Sequence, residues 1–260
     1  MTADTDPLSG VTAGPYTDPL TGEHHLLIQQ PGPALLTDSA RLAQARAALH
    51  TQCPQTRSTL LRTPPDTTLP APWRRRLTYL RCADPADLPD PEHTLEVVPA
   101  AADDDTLVLT WLTRALMRGA ADIGHAVPAS AAGSIAESVC AQPGRVSLVA
   151  RRAGRTIGHA TLLTGRDDDV TGEPITELVD VLVEDGEDVA LTTAVLCRAA
   201  AAHAQTLGQA LVGNVVHGHD QDPATGGRDT WRIVTALLAR GWRIDHEFWW
   251  APAPTAKEAP

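Results

Sequence analysis

Aromatic side chains are scarce in this chain of 260 residues: they make up 3% of it, with a single phenylalanine, Phe248. Leu, Val and Ala must therefore fill most of the core, and the apolar content of 43% is ordinary for a globular protein. Lysine is scarcer still. Lys257 is the only one, and Arg carries the positive charge elsewhere. With the abundant Ala, Pro and Asp, that reads as coding bias rather than function. The four cysteines, Cys53, Cys82, Cys140 and Cys197, never fall in a C-x-x-C spacing, which argues against a zinc knuckle or a dithiol redox motif. Cys140 and Cys197 sit in apolar helical stretches and read as buried thiols. No apolar run reaches the length of a bilayer span. Met1–Pro7 is polar and acidic and lacks the charged-then-apolar order of a secretory signal. The expectation is a cytoplasmic protein with no membrane partner.

Negative charge is plentiful. The formal net charge of −11 argues against general nucleic-acid binding, which needs a basic face to neutralise phosphates. Two short arginine groups, Arg74–Arg76 and Arg151, Arg152 and Arg155, read as solvated surface.

Along the chain, residues 1–22 are rich in Thr, Gly, Pro and Asp and are expected to be loose or extended. His24–Gln30 reads as a strand, and Thr37 or Asp38 as the cap of a helix running to about Gln52. Residues 54–72, full of Pro and Thr, read as loop, and Arg75–Cys82 as a strand. Asp84–His93 carries three prolines and reads as a linker, which places a domain boundary near residue 93. Residues 23–92 are thus an accessory α/β segment, with a partial second copy of the following domain as the alternative. Beyond it the pattern is regular. Leu95–Pro99 is a strand, and helices start at Asp103–Asp105 and at Pro128. Arg145–Arg151 and Thr156–Leu163 are strands joined by a tight turn at Ala153–Gly154. Arg166–Gly172 is an acidic loop, Ile175–Val183 a strand, and Val189–Leu207 a long helix with Gly208 as its C-cap. Ala210–Val216 is a strand, His217–Arg228 a polar loop, and a helix from Asp229 or Thr230 ends near Arg240. Trp242–Trp250 is the last strand, and residues 253–260 are a flexible tail.

Three passages resemble the GNAT (N-acetyltransferase-like) superfamily over about 155 residues. RVSLVARRAGRTIGHATLL is similar to its central hairpin, with Ile157–Gly158 in the second strand. ELVDVLVEDG and the helix after it are similar to its central strand and cofactor helix. ALLARGWRIDHEFWW is similar to its closing helix–Gly–aromatic–strand. The resemblance implies an α/β (α+β) fold for residues 93–252: a mixed, mostly antiparallel central sheet flanked by helices. It also implies acyl transfer from acetyl-CoA or another acyl donor to an amine of a small molecule or peptide.

On the same resemblance, Val181, Val183, Gly186, Val189, Leu191 and Thr193 are the donor-binding positions and Glu177 is the general base. The family's loop of pattern Gln/Arg-x-x-Gly-x-Gly/Ala, whose bare N–H groups hold a diphosphate at a helix start, is altered. Asp188 stands at the Gln/Arg position, and Leu191 and Thr193 stand at the small-residue positions. Glu184, Asp185, Glu187 and Asp188 add negative charge beside it. Leu237 occupies the place of a thiolate-protonating Tyr. Donor binding is therefore expected to be atypical. A non-catalytic GNAT-fold binding or scaffold protein, or a repurposed enzyme of different chemistry, is the alternative.

His217-Gly218-His219-Asp220-Gln221-Asp222 is the other run with chemical potential. His217 and His219 are candidates for proton transfer, and no metal site is assigned because the run fits metal-ligand spacings only loosely. His159, inside the second hairpin strand, is read as packed or exposed, not catalytic. Of Trp242, Trp249 and Trp250, one is expected in the core and an alternating one outward, where it could serve a groove or a homodimer contact.

Overall fold

The computed structural model describes residues 8, 10–91, 94–218 and 227–254. The described residues form two compact units, those within 1–78 and 245–260 and those within 79–244. The strands are β1 (Thr12–Thr17), β2 (His24–Gln30), β3 (Ser58–Thr63), β4 (Arg74–Cys82), β5 (Glu96–Pro99), β6 (Arg145–Arg152), β7 (Arg155–Asp167), β8 (Pro174–Val183), β9 (Ala210–Val216) and β10 (Arg243–Pro252). The helices are α1 (Pro33–Thr37), α2 (Ser39–Gln52), α3 (Asp105–Asp122), α4 (Ala129–Cys140), α5 (Val189–Thr206) and α6 (Gly227–Leu238).

In the larger unit the strand order is β4-β9-β8-β7-β6-β5. Neighbours from β5 to β8 pair antiparallel, and β8 pairs β9 parallel. The turn between β6 and β7 uses Ala153 and Gly154, both at positive φ, as a two-residue hairpin requires. Helix α5 covers one face of the sheet. Its Val195, Leu196, Ala200 and Ala204 pack with Leu148, Ile157, Leu162 and Leu211. Helices α3 and α4 cover the other face, where Val108 and Leu112 at helical spacing meet Ala136 and Val149. Gly158 lets α5 lie this close. A Cβ there would stand 2.9 Å from the Leu182 carbonyl oxygen and 3.2 Å from Thr192 Cγ2. The mixed, mostly antiparallel sheet flanked by helices is the architecture expected from the sequence.

In the smaller unit β1-β2-β3-β10 are neighbours. β2 pairs β3 parallel, and β10 pairs β3 antiparallel. Three stretches depart from the sequence reading. Residues 1–22, expected to be a loose, flexible N-terminus, contain β1, which pairs antiparallel with β2. Residues 54–72 contain β3, which gains its order from ladders on both sides rather than from an alternating pattern of its own. Helix α6 begins at Gly227, before the expected Asp229 or Thr230. Asp38 caps α2 by accepting the Ala40 and Arg41 N–H groups.

The two units share a repeat. Asp18, Thr21, Gly22 and Glu23 recur in order and spacing as Asp168, Thr171, Gly172 and Glu173. Each Asp carboxylate accepts two backbone N–H groups of its own turn. Each turn ends on a glycine at positive φ, 71° at Gly22 and 69° at Gly172. The following parallel pairings match as well, His25↔Ser58 to Ile28↔Leu61 and Ile175↔Ala210 to Leu178↔Gly213. The helix between the paired strands starts on an Asp cap in both cases, Asp38 and Asp188. Over this stretch the smaller unit repeats the β7–β8–α5–β9 arrangement of the larger one.

Candidate functional site

Parallel strands need a continuous ladder, and β8 and β9 lose theirs part-way. Pairing ends at Leu178↔Gly213, while β8 runs on to Val183 and β9 to Val216. From Val179 onward the β9-facing edge of β8 therefore has no strand partner in β9 among the described residues, and such an edge can take an extended ligand. A bulge falls at the same point. Thr161 of β7 opposes Asp180 and Leu162 opposes Leu178, so Val179 is an extra residue on β8. Leu178 and Val181 pack on the α5 side, whereas Val179 packs on the α3/α4 side. Alternation places Glu177 on the α3/α4 side too.

Glu177 is half-buried. Burial pushes its carboxyl above the ordinary value, against the pull of Arg166, with Asp169 adding to the rise. Arg166 Nε lies 3.9 Å from Glu177 Oε2, a loose and partly exposed pair. A carboxylate whose proton affinity is raised by desolvation suits a proton acceptor near neutral pH.

The β8–α5 junction is occupied by the chain's own carboxylates. Asp188 caps α5 by accepting the Leu191 N–H at 3.0 Å. Glu187 pairs with both Arg152 and Arg155 of the β6–β7 hairpin. Glu184 Oε2 accepts the Trp111 indole N–H at 3.3 Å, and its backbone N–H bonds to the Ile157 carbonyl. Gly186 turns the loop at a φ of 86°. Of the positions expected from the sequence to bind a donor, Val181 and Leu191 pack against the α5 core cluster and Val183 pairs with Gly158. Val189 is exposed, and Thr193 is half-buried on α5. Replacing Asp188 with Ala should cost about 0.5–2 kcal/mol, the usual loss for an N-cap, read as a lower melting temperature. No change would mean that the cap bond does not form in solution.

His217 follows β9 directly, is buried, and lies with its ring 6.2 Å from that of Trp231. Glu177 pairs in register with Val212, five residues earlier on β9, which puts His217 roughly 16 Å further along the strand direction. The structure does not bring the two together. His219 lies outside the described residues. What sequence reasoning missed is a pair on the same face as Glu177, His159 and Asp180, with Trp111 stacked on the imidazole. The signal available was a lone histidine inside an apolar strand. No helix among the described residues is long and apolar enough to cross a membrane.

No family model and no curated protein matches the sequence. Solved structures do match in fold. A functionally unknown conserved protein from Staphylococcus epidermidis is 9% identical, covers 90% of this chain and 86% of its own, and has a TM-score of 0.52. An acetyltransferase of the GNAT family from Colwellia psychrerythraea is 13% identical, covers 87% of this chain and 78% of its own, and has a TM-score of 0.51. At such identities the likeness establishes the fold alone, and that fold is GNAT-like.

Proposed function

We propose that the larger unit is an acyltransferase that moves an acyl group to an amine of a small molecule or peptide, engaging its donor without a diphosphate seat at the β8–α5 junction. The observation that carries this reading is the parting of β8 from β9 after Leu178, with the half-buried Glu177 carboxylate beside the opening. In the reaction the amine nitrogen attacks the acyl carbonyl and its proton passes to Glu177. The acyl bond to the leaving group breaks, and the leaving group keeps the electron pair. Leu237 packs against the core and has no proton to give that group, so solvent supplies it. A CoA diphosphate at the start of α5 would have to displace the Asp188 cap and the two arginine pairs of Glu187. That self-occupied junction favours the second reading, a GNAT-fold binding or scaffold protein without catalysis.

Melting the protein with acetyl-CoA, longer acyl-CoAs and desulfo-CoA separates the two, because a ligand that binds only the native state raises the melting temperature. A rise with any of them supports acyl transfer from CoA. No shift with any of them removes CoA as donor and leaves a non-CoA acyl donor or the binding-protein reading. Where a donor binds, Glu177→Gln should lower turnover while donor affinity stays the same. The wild-type rate should fall as acid titrates the carboxylate, with a midpoint above the ordinary Glu value. Equal loss of turnover and donor affinity in the variant would make Glu177 structural.

A further inference from the structure

A cavity of about 280 Å3 lies in the larger unit between α5, β5 and the segment that follows β4. Its floor is apolar. Val97 comes from β5, and Val195, Ala199 and Ala202 come from one side of α5, four and three residues apart. The sequence leaves this space open, because β5 is only four residues long and the alanines fill little of it. Among the described residues, Arg198 and Asp90 are the two charged side chains that line it.

Arg198 is oriented in advance. Its Nη1 donates to the Pro85 and Leu88 carbonyls at 3.0 and 2.7 Å, which fixes the plane of the guanidinium. Its Nη2 lies 3.4 Å from Asp90 Oδ2, and the Asp90 side chain is 68% exposed. A long, exposed pair of this kind contributes little and exchanges readily for a better one. A lone anion at this mouth would meet Asp90, and a lone cation would meet Arg198. A molecule that carries both charges on one carbon satisfies both side chains. Its carboxylate takes the guanidinium edge, and its ammonium takes the Asp90 carboxylate. An aliphatic branch on the same carbon then covers the apolar floor. A peptide does not fit this pattern, since it separates its ammonium from its carboxylate. The volume, at the small end for ligand pockets, matches a single aliphatic side chain.

We propose that this cavity binds a free aliphatic α-amino acid, with its carboxylate on Arg198, its ammonium on Asp90 and its side chain against Val97, Val195 and Ala199. The site is separate from the opening beside Glu177. Glu177 lies on the α3/α4 side of the sheet and the cavity on the α5 side, with β6 and β7 between β5 and β8. Binding here does not rest on acyl transfer.

The test is equilibrium dialysis of the full chain with radiolabelled L-leucine at constant ionic strength, with no acyl donor present. Competitors are isocaproate, which lacks the ammonium, isopentylamine, which lacks the carboxylate, and glycine, which lacks the side chain. Saturable retention of L-leucine is expected, with each competitor weaker by about tenfold or more, the usual loss for one charge-assisted hydrogen bond or one buried aliphatic branch. Asp90→Asn should weaken L-leucine by about tenfold. Ala199→Leu, which puts an aliphatic side chain of the protein into the cavity, should abolish retention while the melting temperature holds or rises. No saturable retention of L-leucine, equal competition by isocaproate or isopentylamine, or unchanged affinity in either variant would overturn the proposal. Should a variant not fold, the competitor series on the wild type decides.

Discussion

Replacing Trp111 with Ala should lower the stability of the protein by about 3–5 kcal/mol, the range for deleting a large buried aromatic side chain. Trp111 is one of the largest fully buried side chains, on the sheet-facing side of α3. Three separate losses combine at this residue. The cavity removes contacts at the centre of the α3 face, the stacked His159 ring loses its cover, and Glu184 loses the indole N–H. For a unit of this size the melting temperature should fall by roughly 10 °C. Trp111→Phe separates packing from the polar contact. It keeps a six-membered ring near His159 but removes the indole N–H and part of the bicycle, so a smaller loss of about 1–3 kcal/mol is expected, from one hydrogen bond and a partial cavity. If both variants lose the same amount, the Glu184 bond rather than the packing carries the effect. If Trp111→Ala melts like the wild type, α3 does not lie on this sheet.

This tryptophan also shows what could and could not be read beforehand. The helices α3 and α5, the Ala153–Gly154 turn and the Gly208 cap all follow from local sequence, and the structure has them where the pattern put them, although the buried face of α3 is Val108, Trp111 and Leu112 and Met117 is exposed. The altered junction was legible too, because Asp188, Leu191 and Thr193 can be compared with a loop pattern position by position. β3 was not legible, since Ser58–Thr63 becomes a strand through partners far away in the chain, β2 and β10. The His159–Asp180 pair was hidden for a related reason. An alternating strand puts Glu177 and Asp180 on opposite faces, and only the extra residue at Val179 brings them to the same one. The phase change at that bulge is masked in the sequence because Leu178, Val179, Val181, Leu182 and Val183 are all apolar. The repeated Asp-x-x-Thr-Gly-Glu turn was visible in the letters, but its meaning depended on the matching strand registers on either side.

Gly241→Ala should be nearly as costly, and for a reason that a second glycine can isolate. Gly241 follows α6 with a φ of 91°, and a Cβ there would stand 2.3 Å from the Asp87 carbonyl oxygen and 2.8 Å from Asp87 Cβ. Gly208, after α5, has a φ of 69° and nothing within 4 Å of its Cβ position. Both substitutions force a side chain into the left-handed region, at about 1 kcal/mol. Only Gly241→Ala also collides with backbone, and backbone cannot rotate away as a side chain can. Either the end of α6 or the turn Pro85–Asp87 must then move. That turn is pinned by Arg198, whose Nη1 donates to the Pro85 and Leu88 carbonyls at 3.0 and 2.7 Å, and whose Nη2 lies 3.4 Å from Asp90. Displacing it breaks bonds to a charged donor that are worth more than neutral ones. The expected loss is about 3 kcal/mol or more for Gly241→Ala against about 1 kcal/mol for Gly208→Ala, measured by chemical denaturation. Amide exchange in residues 84–90 should quicken in the first variant alone. Equal losses in the two would mean that the segment with three prolines, which reads from composition as a linker, is not held against Gly241 at all.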